Sequence, residues 1–393
     1  MKNTTTNTIY LDNAATTPVD PRVAACMTDC LQSDAAFGNP AASNHDFGVA
    51  ADALIEQARG HVAALIGGVP EGVVWTSGAT ESDNLAILGT ARFREMQGRH
   101  VISSLTEHSA VIGACHKLES EGFMVSLLHP DGRGVIDPQQ VIDAIHDETT
   151  LVSIMHANNE TGVVQDVAAI GKICRERDVL FHVDAAQSAG RLPIDVEKMN
   201  IDLLSLSGHK LYGPKGIGVL YMNRERISRV DPLMFGGGHE RGLRPGTLPT
   251  HQIAGMGKAF EIAAGEMDAD VLRVAGLREQ LWQGLSAIPG IIRNSEGADT
   301  LCSILSVTVP DVEGESLLLA LRGLAVASGS ACNSANDEAS YVMRALGHSD
   351  QLAQSTIRLS LGRFNTEEDV LAAVSLFAEA VHRLRSIAGT QVV

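Results

Sequence analysis

Short apolar runs alternate with amphipathic stretches along the first two thirds of the chain. Runs such as Val73–Trp75, Val101–Ser104 and Leu151–Met155 are short and rich in β-branched residues. Each is followed by a polar turn and then by a stretch with helical spacing. Repeated strand–loop–helix units of this length predict an α/β fold, with a mostly parallel sheet covered by helices on both faces.

The pattern changes after a glycine-rich segment at residues 235–247. A predicted helix at about 249–267 bridges to a smaller α+β unit, with strands near 301–309, 325–327 and 356–361 and a final amphipathic helix over 366–386. A chain of 393 residues is too long for one hydrophobic core. We therefore predict a large domain over residues 18–255 and a small domain formed by residues 1–17 and 256–393.

A carboxylate and an amine follow two neighbouring apolar runs. Asp184 ends the run that begins at Phe181, and Lys210 follows Leu203–Leu206 in a Ser-Gly-His-Lys turn. Either residue alone is better explained as a structural aspartate or a surface lysine. Together, at the strand ends where α/β sheets build ligand sites, they suit pyridoxal 5'-phosphate (PLP). The lysine amine condenses with the aldehyde, and the aspartate pairs with the pyridinium nitrogen.

A second strand runs into a turn of small residues. Val73–Trp75 leads into Thr-Ser-Gly-Ala-Thr-Glu-Ser at residues 76–82, and a helix begins there. Free backbone N–H groups and the helix dipole make such a turn a site for an anion. A plain Ser/Thr-capped helix would look the same, so the turn gains weight as a phosphate site only beside Asp184 and Lys210.

Cys332 lies in a loop, at about residues 328–340, whose neighbours near the thiol are Ser, Gly, Ala, Asn, Asp and Glu. The other five cysteines lie in apolar or helical contexts and no paired CxxC set occurs, which favours reduced thiols and no structural metal site. An exposed thiol on a loose segment is open to oxidation, which disfavours a cysteine there unless it has a function. Function is therefore favoured for Cys332 over an incidental surface cysteine.

The net charge of −17 disfavours direct nucleic-acid binding. No apolar run is long enough for a membrane span, and the start has no apolar core of a signal peptide. We expect a cytoplasmic protein that does not bind membranes.

Several long motifs together resemble the cysteine desulfurases of the NifS/IscS type, in the class V PLP enzymes and the long-loop subgroup. The resemblance covers essentially the whole chain. It rests on Thr76–Asn84 (TSGATESDN), Thr106–His108 (TEH), Ala157–Gly162 (ANNETG), His182–Ser188 (HVDAAQS), Ser207–Lys215 (SGHKLYGPK), Gly236–Thr247, Ser328–Cys332 (SGSAC) and Arg358–Gly362 (RLSLG).

The resemblance implies PLP fold type I, like that of aspartate aminotransferase, and a role for each matched residue. Lys210 would hold PLP covalently, His108 would stack on its ring and shuttle protons, and Cys332 would be the nucleophile. The cofactor would also be bound by Asp184 at the ring nitrogen, Gln187 at the ring hydroxyl, Ala79, Thr80, Ser207 and His209 at the phosphate, and by Asn159. Thr247 would reach the phosphate from a neighbouring subunit, which implies a homodimer. The substrate would be held by Asn39, Asn159 and Arg358.

The implied reaction converts L-cysteine to L-alanine and passes the sulfur, as a persulfide on Cys332, to an acceptor protein. Iron–sulfur assembly, tRNA thiolation and DNA phosphorothioation are the candidate pathways, and the thiol could also be a transient iron–sulfur ligand. Housekeeping members carry a longer C-terminal tail that docks the iron–sulfur scaffold, whereas this sequence ends shortly after its last predicted helix. This difference puts delivery to the scaffold in doubt and leaves room for a dedicated acceptor. The alternatives are a selenocysteine lyase or another class V lyase or aminotransferase, and a non-catalytic sulfur-relay or partner-binding scaffold.

Overall fold

The computed structural model describes residues 8–32, 36–328 and 339–389. A seven-stranded sheet forms the centre of the larger part. Its strands are β2 (Val73–Thr76), β3 (His100–Ser104), β4 (Met124–Leu128), β5 (Thr149–Ser153), β6 (Leu180–Asp184), β7 (Leu203–Ser207) and β8 (Gly218–Met222). Their order is β2-β8-β7-β6-β5-β3-β4, and β8 runs antiparallel to both of its neighbours while the other pairs are parallel. The predicted mostly parallel sheet is confirmed.

Helices cover both faces of this sheet, so its central strands β5, β6 and β7 are buried on both sides. These helices are α2 (Asp46–Leu65), α3 (Ala79–Asn84), α4 (Thr90–Phe93), α5 (Ser109–Ser120), α6 (Pro138–Ala144) and α7 (Val167–Glu176), while α1 (Pro21–Asp29) packs against Ala259 and Ile262. One π-helical turn, Leu85–Gly89, joins α3 to α4. An apolar cluster around Trp75 and Phe181 fills one face, and a second around Leu88 and Leu180 fills the other.

In the described residues, the smaller part is built on short strands and four helices, besides one long helix that it shares with the larger part. Its strands are β9 (Ile292–Arg293), β10 (Ile304–Thr308), β12 (Ala327–Ser328) and β13 (Thr356–Ser360), in the antiparallel order β12-β13-β10-β9, while β1 (Ile9–Tyr10) pairs in parallel with β11 (Leu324–Ala325). Its helices are α9 (Gly314–Ala320), α10 (Tyr341–Ala345), α11 (Asp350–Gln354) and α12 (Glu367–Ala388). A separate apolar core around Leu359 and Phe377 includes Leu11 of the N-terminal arm.

One long helix, α8 (Thr250–Ser286), joins the two cores. Phe260 packs beside the large sheet, and Leu281 packs in the smaller core. The sequence predicted a helix that ends near Met267, whereas the helix continues to Ser286. The second half was not predicted because polar residues interrupt the apolar spacing where the helix crosses from one core to the other. The domain boundary at residues 255/256 stays a prediction.

The strand β8 was missed by the sequence pattern, since its apolar run follows a turn of glycine and lysine that reads as a loop. None of the helices in the described residues is long and apolar enough to cross a membrane. Within the same residues, no group of three or more His, Cys, Asp or Glu side chains is placed to hold a metal ion.

Candidate active site

A cavity of about 590 Å³ opens at the carboxyl ends of the large sheet's central strands, and the small sheet closes part of it. Among the described residues, it gathers most of the side chains that the sequence predicted for the site. Those lining it are Ala79, Thr80, His108, Asn159, Asp184, Gln187, Ser207, His209, Lys210 and Arg358. Residues 79–210 of the large sheet and Arg358 of the small sheet are far apart in the chain and meet at this cavity.

Lys210 follows β7 in a tight turn. A Cβ on Gly208 would lie 2.9 Å from the carbonyl oxygen of Pro214, so only glycine lets this turn close. The Lys210 Nζ donates to the carbonyl oxygens of Ala14 and Ala15, the latter at 2.7 Å. The N-terminal arm thus holds the amine at the cavity wall.

Asp184 is the last residue of β6 and is 5% exposed. Its Oδ1 accepts a hydrogen bond from the Ala186 N–H at 2.8 Å. Burial raises the pKa of this carboxyl group, while the charges of His108 and Lys210 oppose the rise. A desolvated carboxylate of this kind pairs strongly with any cation that enters the cavity.

Gln187 lies on the turn after Asp184 and is nearly buried. Its Nε2 donates to the carbonyl oxygen of Ala14 at 2.9 Å. The same carbonyl accepts from Lys210, so the arm fixes both side chains at once.

His108 is the N-cap of α5, and its Nδ1 accepts from the Ala110 N–H at 3.2 Å. This bond leaves Nε2 as the nitrogen that carries the proton of the neutral ring. Burial lowers the pKa of His108, Asp184 opposes that effect, and Lys210 adds to it.

The turn between β2 and α3 forms one end of the cavity. Its N-cap, Gly78, offers no side-chain cap to the first free N–H groups of the helix. Across from it, the Ser207 hydroxyl is buried and has no hydrogen-bond partner within the described part of the chain. A buried hydroxyl without a partner calls for a ligand or a water.

His209 also lies at this end of the cavity. Its Nδ1 is 3.1 Å from the Thr16 hydroxyl, and burial, with Lys210 and Lys215, lowers its pKa to about 4. A neutral imidazole can hydrogen-bond an anion here without adding charge.

Arg358 comes from β13 of the small sheet and is 5% exposed. Its Nη1 donates to the Asn159 carbonyl at 2.8 Å, and its Nη2 pairs with Asp12 Oδ1 at 2.7 Å. Its Nε is buried without a partner among the residues the structure describes. The guanidinium therefore keeps donor capacity for a carboxylate in the cavity.

Two predicted residues, Asn39 and Thr247, do not line this cavity in the described part of the chain. Asn39 is exposed, and its Oδ1 accepts from the Ala41 N–H. Thr247 is exposed and does not line the cavity within the described residues. Cys332 lies outside the described residues, so its role stays a prediction.

Some lining groups were not foreseen from the sequence. They are the carbonyls of Ala14 and Ala15, the carboxylate of Asp12, and Glu81, which Arg244 contacts. The residues next to them in the sequence do not indicate a position in the cavity, because each group makes a contact with a distant part of the chain.

The residues present fit PLP. An amine, a buried carboxylate and an anion-binding end with an unpartnered Ser207 hydroxyl are the three features that this cofactor needs. Arg358 adds a place for the carboxylate of an amino acid.

Comparison with known proteins identifies the family. Residues 9–372 match the class-V aminotransferases. The cysteine desulfurases IscS of Salmonella schwarzengrund and Pectobacterium atrosepticum are each 53% identical to this chain over 379 residues, which is 96% of this chain and 94% of theirs. The chain belongs to the class-V aminotransferase family, among its cysteine desulfurases.

Solved structures agree with this family. A NifS-like protein superposes with a TM-score of 0.88 at 36% identity, covering 96% of this chain and 100% of its own. SspA in complex with cysteine gives 0.82 at 41% identity, covering 91% and 100%. DndA from Streptomyces lividans gives 0.77 at 38%, covering 90% and 99%. The family and the predicted PLP fold type I are therefore confirmed.

Proposed function

We propose that this protein is a PLP-dependent cysteine desulfurase, which converts L-cysteine to L-alanine and keeps the sulfur as a persulfide on Cys332. The observation that carries the proposal is the meeting of Lys210, Asp184 and Arg358 at one cavity. A lysine amine, an acid for a ring nitrogen and a carboxylate-binding arginine are the groups an amino-acid PLP enzyme needs.

Asp184, Gln187, His108 and Lys210 would hold the cofactor's ring, and Ser207, His209 and the turn at residues 77–80 its phosphate. When bound, PLP supplies an electron sink that weakens the bonds at the substrate's Cα.

The chain's own groups then have defined tasks. Arg358 orients the substrate through its carboxylate, and the Lys210 amine takes the Cα proton. His108, whose Nδ1 accepts from the Ala110 N–H, presents Nε2 to donate or accept a proton beside the ring. The Cys332 thiolate forms a new S–S bond with the substrate sulfur as the C–S bond breaks.

We further propose that the protein works as a cytoplasmic homodimer and delivers sulfur to an acceptor protein. Exposed Thr247 would reach the cofactor phosphate of the partner subunit, as the family resemblance implies. The five cysteines that the structure describes are all unpaired thiols, which suits a reducing compartment.

Purified protein tests the proposal. It should carry the absorbance of lysine-bound PLP, and L-cysteine should yield alanine and a mass increase of one sulfur on Cys332. Lys210→Ala should lose the absorbance and the activity, while Cys332→Ser should keep PLP but form no persulfide. Native sulfide release by Cys332→Ser would refute the desulfurase mechanism. In Cys332→Ala, loss of cysteine turnover with selenocysteine turnover retained would favour the selenocysteine lyase.

A further inference from the structure

The glycine-rich loop at residues 236–247 is fixed to the large sheet by a buried ion pair. Arg59 Nη2 lies 3.1 Å from Glu240 Oε1, and the two side chains are 6% and 4% exposed. Glu240 Oε2 also accepts from the Trp75 N–H at 2.8 Å. Glu240 and Arg241 both have positive φ, at 46° and 59°. Two consecutive non-glycine residues persist in that region only when their surroundings hold them there.

This anchor brings a second charged residue of the loop to the phosphate end of the cavity. Arg244 Nε lies 3.1 Å from Glu81 Oε1. The other oxygen of Glu81 accepts from the Ser77 N–H at 2.7 Å. The carboxylate therefore sits on the turn that precedes α3 and lines the cavity.

A carboxylate at this place repels an anion that binds in the cavity. Glu81 is 14% exposed at its side chain, and Arg244 is 21% exposed, so solvent screens the pair only in part. Without the guanidinium, the charge of Glu81 would act directly on a phosphate at residues 77–80.

We propose that Arg244 is a positioning residue for the phosphate of the cofactor. It neutralises Glu81 and keeps that carboxylate on the Ser77 N–H, so that the turn at residues 77–80 accepts a dianion. This inference rests on the proposed function and adds a determinant of the preference for PLP over unphosphorylated pyridoxal.

The test compares the two aldehydes on the full-length apoprotein. In Arg244→Met the dissociation constant of PLP should rise by about 10- to 100-fold, while that of pyridoxal should stay within about twofold, because only the phosphate meets Glu81. In the double variant Glu81→Gln/Arg244→Met the constant for PLP should return to within about threefold of wild type, because the repelling charge is gone. Arg244→Lys keeps a cation and should remain close to wild type.

Arg241→Met is the matched control. It removes the same charge from the same loop, but Arg241 is exposed and forms no ion pair with a described residue. A general loosening of the fold would weaken both aldehydes alike, and that result would overturn the inference. So would a double variant that binds PLP no better than Arg244→Met.

Measurements on the wild-type protein distinguish a failure of this inference from a failure of the proposed function. If it binds PLP and desulfurates cysteine but Arg244→Met keeps the wild-type preference for PLP over pyridoxal, only the role of Arg244 is wrong. If it binds neither aldehyde, the proposed function fails and this inference fails with it.

Discussion

Replacing Arg358 with Met removes the cation that we assign to the substrate carboxylate. The structure shows Nη1 bound to a carbonyl and Nη2 bound to Asp12. Each of these nitrogens carries a second N–H, so a substrate carboxylate can accept from one of them as well as from the Nε–H. Charge-assisted hydrogen bonds are worth roughly 1.5–3 kcal/mol each. Loss of two such contacts to a carboxylate gives about 4 kcal/mol, or about a thousandfold in kcat/KM.

Asp12 makes the loss larger. Its carboxylate lines the cavity and pairs with Arg358, so in Arg358→Met it faces an anionic substrate without a counter-charge. Asp12→Asn/Arg358→Met should therefore recover part of the lost kcat/KM. Arg358→Lys keeps the charge but not the planar fork, and should lose about 10- to 100-fold.

The assay is the initial rate of alanine formation over a range of L-cysteine concentrations. Cysteamine, which has the amine and the thiol but no carboxylate, is the control, and its binding should not change in Arg358→Met. A kcat/KM for L-cysteine within threefold of wild type in Arg358→Met would refute this assignment, as would an equal loss of binding for cysteamine.

Three further outcomes are expected. Burial raises the pKa of Glu107 from 4.5 to about 8, so the native state keeps a proton that the unfolded chain loses. The free energy of unfolding should therefore fall as pH rises between about 4.5 and about 8. In urea titrations, Glu107→Gln should flatten that slope by up to about 1.4 kcal/mol per pH unit, and an unchanged slope would contradict the prediction. Asp184→Asn should keep PLP on Lys210 but shift its absorbance and lower kcat by about 100-fold or more, since a preorganised charge is lost; native kcat would contradict the assignment. Arg59→Met should cost about 3–5 kcal/mol in unfolding free energy because it leaves Glu240 buried and unpaired, and a loss below 1 kcal/mol would show that Glu240 finds water.

The candidate site was predictable where chemistry follows a strand end. Asp184 and Lys210 come directly after buried apolar runs, and a parallel sheet brings such ends to one edge. The turn before α3 was predictable for the same reason. Arg358 was recognised from a family motif, because nothing local to β13 marks it as a cavity residue.

The sequence could not predict what the N-terminal arm does. The arm reads as an extended segment, yet the carbonyls of Ala14 and Ala15 hold Lys210, and Leu11 packs in the small core. The bonds to Lys210 join residues nearly 200 positions apart, and the partners of Leu11 lie further away still. Backbone carbonyls also carry no signal in the amino-acid pattern.

From its sequence alone, this protein is a parallel α/β chain with an amine and an acid at neighbouring strand ends, because side-chain period and turn residues are local properties. Only the tertiary structure decided that Arg358 faces Asp12 in the same cavity and that Arg244 reaches Glu81. Those pairs depend on how the two sheets and the loop at residues 236–247 pack, and packing is a property of the whole folded chain.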